Sequence, residues 1–148
     1  MNILLLNGPN LNLLGEREPV IYGSETLPEL EKALTDQAAR QGFVLRCAQS
    51  NHEGVLIDLL HEARHWAYGV IFNPGAFTHT SLALADAIRA TGLRMIEVHL
   101  TNIYARESFR HHSWLAPVAW GQISGFGTQG YFLALEALIR HHQSNKGS

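Results

Sequence analysis

The chain has 148 residues, of which 46% are hydrophobic and 16% charged, and this suits a single domain, residues 1–148, with one core. A net charge of −2 and a pI near 6.5 argue against nucleic acid as the main partner, and no apolar run approaches the roughly 20 residues of a membrane span. The chain begins in a predicted strand without a targeting segment, and its single cysteine, Cys47, excludes an internal disulfide and fits a reducing cytosol, so we expect a cytoplasmic protein.

Strands and helices alternate along the chain. Apolar runs predict strands near residues 2–7, 43–49, 69–73, 93–99 and 117–124. Amphipathic stretches with capping signals predict helices near residues 27–41, 54–67, 80–91 and 128–142, before a polar tail at 143–148. Apolar strands that lie between helices are typical of a parallel sheet covered on both faces. The sequence therefore predicts an α/β fold with a flavodoxin-like, doubly wound, five-stranded parallel sheet and helices on both faces.

A polar loop, residues 73–81, follows the third predicted strand and precedes the third predicted helix. It carries an amide at Asn73, an imidazole at His79 and three hydroxyl groups. Open α/β proteins bind ligands at the carboxyl edge of their sheet, where such loops lie. We therefore expect a ligand site at this edge.

A long connection, residues 8–24, separates the first strand from the first helix. It exceeds the usual 2–6 residues of such a connection, and loops of this length commonly cover or bind a ligand. It contains Asn10, Arg17 and Tyr22, and two more arginines, Arg106 and Arg110, fall in a later predicted loop. The placement of the arginines indicates a small anionic ligand.

The fourth predicted strand contains Glu97 and His99. Residues two apart on a strand project from the same face of the sheet. A carboxylate beside an imidazole can fix the tautomer of the ring, which suits a general acid. Because this strand ends at the same sheet edge as the two loops, we expect the pair to belong to the same site.

One short motif, residues 61–65, matches the zinc-binding pattern HExxH. Helical periodicity turns His61 and His65 toward solvent, opposite the apolar face of the predicted helix. A catalytic zinc also needs a cleft and a third ligand, and neither is evident, so we expect no metal and no zinc peptidase activity.

A second motif, residues 125–130, matches the dinucleotide-binding pattern GxGxxG. Only 18 residues follow it, and they leave no further strand for a ribose contact. We expect these glycines to bring the last helix close to the sheet, and we expect no cofactor.

The remaining side chains suit acid–base chemistry. The two lysines, Lys32 and Lys146, lie in the first helix and the tail, so a Schiff base has no plausible amine. Tyrosine, arginine, histidine and amides can abstract a proton α to a carbonyl and then assist the loss of hydroxide. The alternative is a flavodoxin-like protein that binds FMN or a nucleotide, although Pro9 removes a backbone donor from the loop that would hold its phosphate.

Several separated motifs resemble type II 3-dehydroquinate dehydratases, and together they extend from the first strand into the last helix. They are residues 7–15 with 17–19 and 22–23, residues 73–76 with 78–81, residues 97–99, residues 106–107 with 109–110 and 112–113, and residues 127–131. The resemblance implies a shikimate-pathway lyase of aromatic amino acid biosynthesis, which converts 3-dehydroquinate to 3-dehydroshikimate and water. It also implies one catalytic domain, no cofactor, and a homododecamer built as a tetramer of trimers.

The resemblance also implies the catalytic roles. Tyr22 would be the base that removes the C2 proton of the substrate, and Arg17 would lower the pKa of that phenol. His99 would be the acid that protonates the departing C1 hydroxyl, with Glu97 orienting its ring. Asn10 would help to hold a water on the oxygen of the enolate intermediate.

By the same resemblance, three residues would bind substrate hydroxyls: Asn73, His79 and Arg110. Leu100 and Thr101 would receive the substrate carboxylate through backbone N–H groups and a hydroxyl. Asp86, on the third helix, would reach the site of a neighbouring subunit. Three positions depart from the family pattern, since Thr101 stands where serine is frequent, Phe77 stands where tyrosine is common and Val55 stands where glutamate is often found.

Overall fold

The computed structural model describes residues 1–16, 20 and 23–146. Its sheet contains strands β1 (Asn2–Asn7), β2 (Val44–Gln49), β3 (Ala67–Asn73), β4 (Met95–His99) and β5 (Gly121–Ser124). The helices that alternate with them are α1 (Leu27–Arg40), α2 (Glu53–Ala63), α3 (Leu82–Thr91) and α4 (Gln129–Lys146). All strand pairs are parallel and the order is β2-β1-β3-β4-β5. This order confirms the predicted flavodoxin-like fold.

Two hydrophobic clusters cover the two faces of the sheet, and β1 contributes to both. Ile3 and Leu5 pack with residues of α1 and α4 on one face. Leu4 and Leu6 pack with residues of α2 and α3 on the other face. Successive side chains of a strand point to opposite faces, so a strand between two helical layers must be apolar at every position. The packing on both faces suits β1 to an interior position of the sheet, between β2 and β3.

The carboxyl ends of β1 and β3 lie side by side. Asn7 is the last residue of β1 and pairs in register with Asn73 of β3 and with Gln49 of β2. The chain leaves β1 toward β2 on one side and continues from β3 toward β5 on the other. Such a switch point leaves a crevice at the carboxyl edge, and the polar loops that the sequence marked follow these strand ends.

Helix ends follow the predicted signals in part. Thr26 caps α1, since its Oγ1 accepts the Glu29 N–H at 3.3 Å, and Gly92, with φ of 66°, ends α3. At α2 the cap residue is His52, which makes no side-chain capping bond, and its own N–H donates to the Ser50 hydroxyl.

The largest differences from the predicted boundaries occur in three elements. The helix α2 ends earlier, because Ala67 already pairs with β1. The strand β5 starts only at Gly121, because Pro117 lies in a short 3₁₀ turn and has no N–H for strand pairing. The helix α4 continues to Lys146 and so includes part of the expected tail. No helix in the described ranges is long and apolar enough to cross a membrane.

Candidate active site

A cavity of about 170 Å³ opens at the carboxyl edge of the sheet, among the turns that follow β1, β3 and β4. The predicted site residues that line it are Asn10, Asn73, His79, His99, Leu100, Thr101 and Arg110. They come from three distant segments of the chain, and the parallel sheet brings these segments to one edge. The structure thus places these residues around one cavity.

The other predicted site residues lie elsewhere. Glu97 is fully buried behind His99. Asp86, on α3, does not line the cavity; its side chain is 66% exposed and lies 3.5 Å from the Arg89 guanidinium. Arg17 and Tyr22 lie outside the described residues.

The Glu97 carboxylate accepts hydrogen bonds from three side chains. Thr78 Oγ1 donates to Oε2 at 2.5 Å, and Ser113 Oγ lies 3.0 Å from Oε1 and 2.9 Å from Oε2. His99 Nε2 lies 2.5 Å from Oε2. Removing a carboxylate from water is so unfavourable that a buried one needs partners of this kind. These donors therefore make a buried charge possible at this position.

The serine among these donors is itself held by the backbone. The Leu115 N–H donates to Ser113 Oγ at 3.1 Å, so the serine hydroxyl proton is directed to its own acceptor, Glu97. The Trp114 N–H donates to the Thr78 carbonyl at 2.8 Å. The carboxylate thus joins the loop after β3 to the loop after β4.

The protonation of the pair follows from this geometry. Burial alone would raise the pKa of Glu97, but hydrogen bonds from His99, Thr78 and Ser113, with the charge of His99, outweigh it and hold that pKa below its usual range. An ionised carboxylate can only accept, so His99 carries a proton on Nε2. Its Nδ1 is then the nitrogen that can give or take a proton at the cavity.

His79 presents a second imidazole to the cavity. Its Nδ1 lies 2.8 Å from the His112 carbonyl oxygen and therefore donates to it, which leaves Nε2 as an acceptor. Burial, together with the charges of His99 and Arg110, lowers the pKa of His79, although the bond to His112 and the charge of Glu97 act in the opposite direction. A neutral ring follows at neutral pH. The His79 and His99 rings stack, with centroids 6.5 Å apart.

Two arginines give the cavity wall a positive charge. Arg110 Nε donates to Glu107 Oε2 at 2.7 Å, which fixes the guanidinium beside the cavity. Arg106 Nη1 donates to Thr101 Oγ1 at 3.3 Å. Together they favour a ligand with an anionic group.

The loop after β1 is held by the end of β2. Asn10 has φ of 70°, a left-handed conformation that residues other than glycine seldom adopt. Its N–H donates to Asn51 Oδ1 at 3.0 Å, and Gln49 Nε2 donates to both the Gly8 carbonyl and Asn51 Oδ1 at 3.1 Å. These bonds hold Asn10 in this conformation at the cavity wall.

Two residues of the site had no assigned role in the sequence-based prediction: Thr78 and Ser113. Each stands in a loop that the sequence marked as polar or basic. Their partners could not be found from the sequence, because nothing in the spacing relates residue 78 or 113 to residue 97. Phe77, which departs from the family pattern, packs against the hydrophobic cluster of α2 and α3 and does not line the cavity.

The structure shows the exposure of the first short motif and the packing of the second. His61 and His65 are exposed, and His65 lies beyond the end of α2. No group of three or more His, Cys, Asp or Glu side chains that could hold a metal occurs within the described ranges. Gly130 lets α4 approach the sheet, since a Cβ there would lie 3.3 Å from Ile123 and 3.4 Å from Val98.

Comparison with known proteins identifies the family. Residues 1–139 match the model of dehydroquinase class II. A 3-dehydroquinate dehydratase of Trichodesmium erythraeum is 54% identical over 146 residues, which cover 99% of this chain and 97% of the relative. The catabolic 3-dehydroquinase 2 of Aspergillus flavus is 58% identical over 140 residues, 95% of this chain and 93% of the relative.

A solved structure agrees with these relatives. The type II dehydroquinase from Butyrivibrio crossotus has a TM-score of 0.91 and 44% identity, and the match covers 93% of this chain and 97% of that one. The chain belongs to the class II dehydroquinase family, a family of enzymes, and the resemblance seen in the sequence is confirmed.

Replacing Ser113 with alanine should destabilise the fold more at neutral than at acid pH. A hydrogen bond to a charged group contributes about 1.5–3 kcal/mol. The folded pKa of Glu97 lies below the ordinary value of about 4.3. The bonds to its carboxylate therefore stabilise the fold above that value, and this contribution is lost as the pH falls through the folded pKa.

Urea unfolding at several pH values measures this effect. We expect Ser113→Ala to lower the free energy of unfolding by about 2 kcal/mol at neutral pH, and by less once Glu97 is protonated. The exposed Ser108→Ala is the matched control and should unfold like the wild-type chain throughout. An equal loss at neutral and acid pH would show that Ser113 does not act through the ionised carboxylate.

Proposed function

We propose that this chain dehydrates 3-dehydroquinate to 3-dehydroshikimate and water, a step of the shikimate pathway. The observation that carries the proposal is the His99 ring, held by buried Glu97 at the wall of a cavity with two arginines. The names of relatives that are 54% and 58% identical support the same reaction. The alternative, an FMN-binding protein, shares the fold but not the family, and no feature of the described residues favours it.

His99 would be the general acid of this reaction. Its Nε2 proton is committed to Glu97, so the proton for the C1 hydroxyl would come from Nδ1, and the oxygen would leave as water. The ionised carboxylate would stabilise the imidazolium before the transfer and keep the ring in place afterward.

Tyr22 would be the base that takes the C2 proton, with Arg17 stabilising its phenolate. Both roles rest on the sequence motifs. Two observations on the described flanking residues support these roles: Leu14 lines the cavity, and a Cβ at Gly15 would lie 2.8 Å from the Ser24 carbonyl oxygen.

The remaining residues would bind the substrate and the intermediate. Loss of the C2 proton gives an enolate, and Asn10 would hold a water on its oxygen. Three side chains would bind substrate hydroxyls: Asn73, His79 and Arg110. Leu100 and Thr101 would hold the carboxylate, and the charge of Arg106, which bonds to the Thr101 hydroxyl, would strengthen that contact.

Assembly belongs to the same proposal. The chain would act in the cytoplasm as a homododecamer, a tetramer of trimers. Asp86 lies outside the cavity of its own subunit, and its exposure leaves it available to a neighbour. It would complete the site of the next subunit.

A hydrogen-exchange experiment should distinguish the role of the base from that of the acid. The wild-type chain should form the conjugated enone, which absorbs in the ultraviolet, and should exchange the C2 proton of 3-dehydroquinate with deuterium from solvent. Tyr22→Phe should lose both, with kcat lower by about 10²–10⁴-fold and KM changed less. His99→Ala should keep the exchange and lose the dehydration, because the enolate can form without the acid.

Two exposed residues provide matched controls, since Tyr104→Phe and His65→Ala should show wild-type kinetics. A wild-type rate of C2 exchange in Tyr22→Phe would remove Tyr22 as the base. Failure of the wild-type chain to form the enone would refute the proposed function itself.

Mixing two inactive variants should test the role of Asp86. Asp86→Ala should lower kcat/KM without a change in the unfolding midpoint, whereas Asp58→Ala, an exposed aspartate of α2, should leave both unchanged. Asp86→Ala and Tyr22→Phe chains, dissociated and reassembled together, should regain activity, because some sites then combine an intact Tyr22 with an intact Asp86. No recovery on mixing would place Asp86 at the site of its own subunit or outside the machinery.

A further inference from the structure

A buried chain of hydrogen bonds joins α4 to the ends of β1 and β3. The hydroxyl of Tyr131, fully buried in α4, donates to Asn7 Oδ1 at 2.7 Å and accepts from Asn73 Nδ2 at 2.8 Å. Burial raises the pKa of Tyr131 well above its usual range, although the bond from Asn73 opposes this shift. The hydroxyl therefore keeps its one proton. The hydrogen bonds then run in one direction, from Asn73 through Tyr131 to Asn7.

This direction determines how the Asn73 amide is oriented. Its Oδ1 accepts the Gly75 N–H at 3.0 Å, and its Nδ2 donates to Tyr131. In the flipped amide, Nδ2 would face the Gly75 N–H, and Oδ1 would face a hydroxyl whose only proton is committed to Asn7. Both contacts would be mismatched. Asn73 lines the cavity, and one N–H of its Nδ2 remains available to a ligand.

The energetic cost of a buried asparagine at position 7 supports a role for these hydrogen bonds. Its Nδ2 is buried and has no hydrogen-bond partner among residues 1–16, 20 and 23–146. An unmatched buried donor is destabilising, and an apolar side chain of similar size would avoid that penalty. The group of Asn7 that acts here is its Oδ1. It accepts the hydrogen bond from Tyr131 and so prevents Tyr131 from donating to Asn73.

We propose that Tyr131 is a positioning residue for substrate binding, because its hydroxyl holds the Asn73 amide as a hydrogen-bond donor toward a substrate oxygen. The proposal rests on the proposed function, in which that oxygen belongs to a hydroxyl group of 3-dehydroquinate. Tyr131 is not part of the cavity lining, so it acts through Asn73. Its loss should affect substrate binding more than proton transfer.

The variant Tyr131→Phe keeps the ring and removes the hydroxyl. We expect kcat/KM for 3-dehydroquinate to fall roughly tenfold, mainly through a higher KM, because one hydrogen bond is lost while the acid and the base are unchanged. Tyr68→Phe is the matched control. Tyr68 lies near the start of β3, and its hydroxyl bonds to His141 of α4. Removing that hydroxyl, which is far from the cavity end of β3, should leave kcat and KM unchanged.

A double variant distinguishes positioning from a general loss of packing. In an Asn73→Ala background, Tyr131→Phe should lower kcat/KM no further, because the group that it positions is already absent. Additive losses in the double variant would overturn the proposal, and so would a wild-type KM in folded Tyr131→Phe.

A second single variant keeps the proposal testable where circular dichroism shows that Tyr131→Phe does not fold. Asn7→Leu removes the acceptor and frees the Tyr131 proton to turn toward Asn73, so KM should rise in the same way. An unchanged KM in Asn7→Leu would overturn the proposal. A wild-type chain without activity on 3-dehydroquinate would refute the proposed function instead, so the two failures remain distinct.

Discussion

One buried carboxylate, that of Glu97, determines how the site is built. A charge inside a buried strand is tolerated only when other groups replace the water that it has lost. Thr78 and Ser113 donate hydrogen bonds to the Glu97 carboxylate from two different loops, and His99 donates one from the same strand. The requirement for these donors therefore fixes the loops after β3 and β4 relative to each other, and it sets the orientation of the imidazole at the cavity.

The sheet places these hydrogen-bonded loops at its carboxyl edge, beside the cavity. Alternate side chains of β1 belong to two separate hydrophobic clusters, so the strand is fixed from both faces. Its last residue, Asn7, then lies in register with Asn73, and the turns beyond the two strands diverge around a cavity. The stable part of the fold thus positions polar side chains without using them for its own core, which is the usual division in open α/β proteins.

The sequence predicted the strands and the residues of the site better than the hydrogen bonds between those residues. The strands follow from their apolar runs, and the shared face of Glu97 and His99 follows from the period of two along a strand. Periodicity could not pair Ser113 with Glu97, 16 residues away, or Tyr131 with Asn7, 124 residues away, because only the folded sheet brings them together. Local chemistry also changed element boundaries, as Pro117 shows at the start of β5.

We propose that an ionised Glu97 holds His99 as the acid of the dehydration. Glu97→Gln keeps the size of the side chain and removes its charge, so steady-state formation of the conjugated enone measures what that charge contributes. In Glu97→Gln, kcat should fall at least about tenfold and by no more than the 10²–10⁴-fold that a general acid contributes, while KM should stay close to the wild-type value. A folded Glu97→Gln chain that dehydrates 3-dehydroquinate with the wild-type kcat would contradict the account.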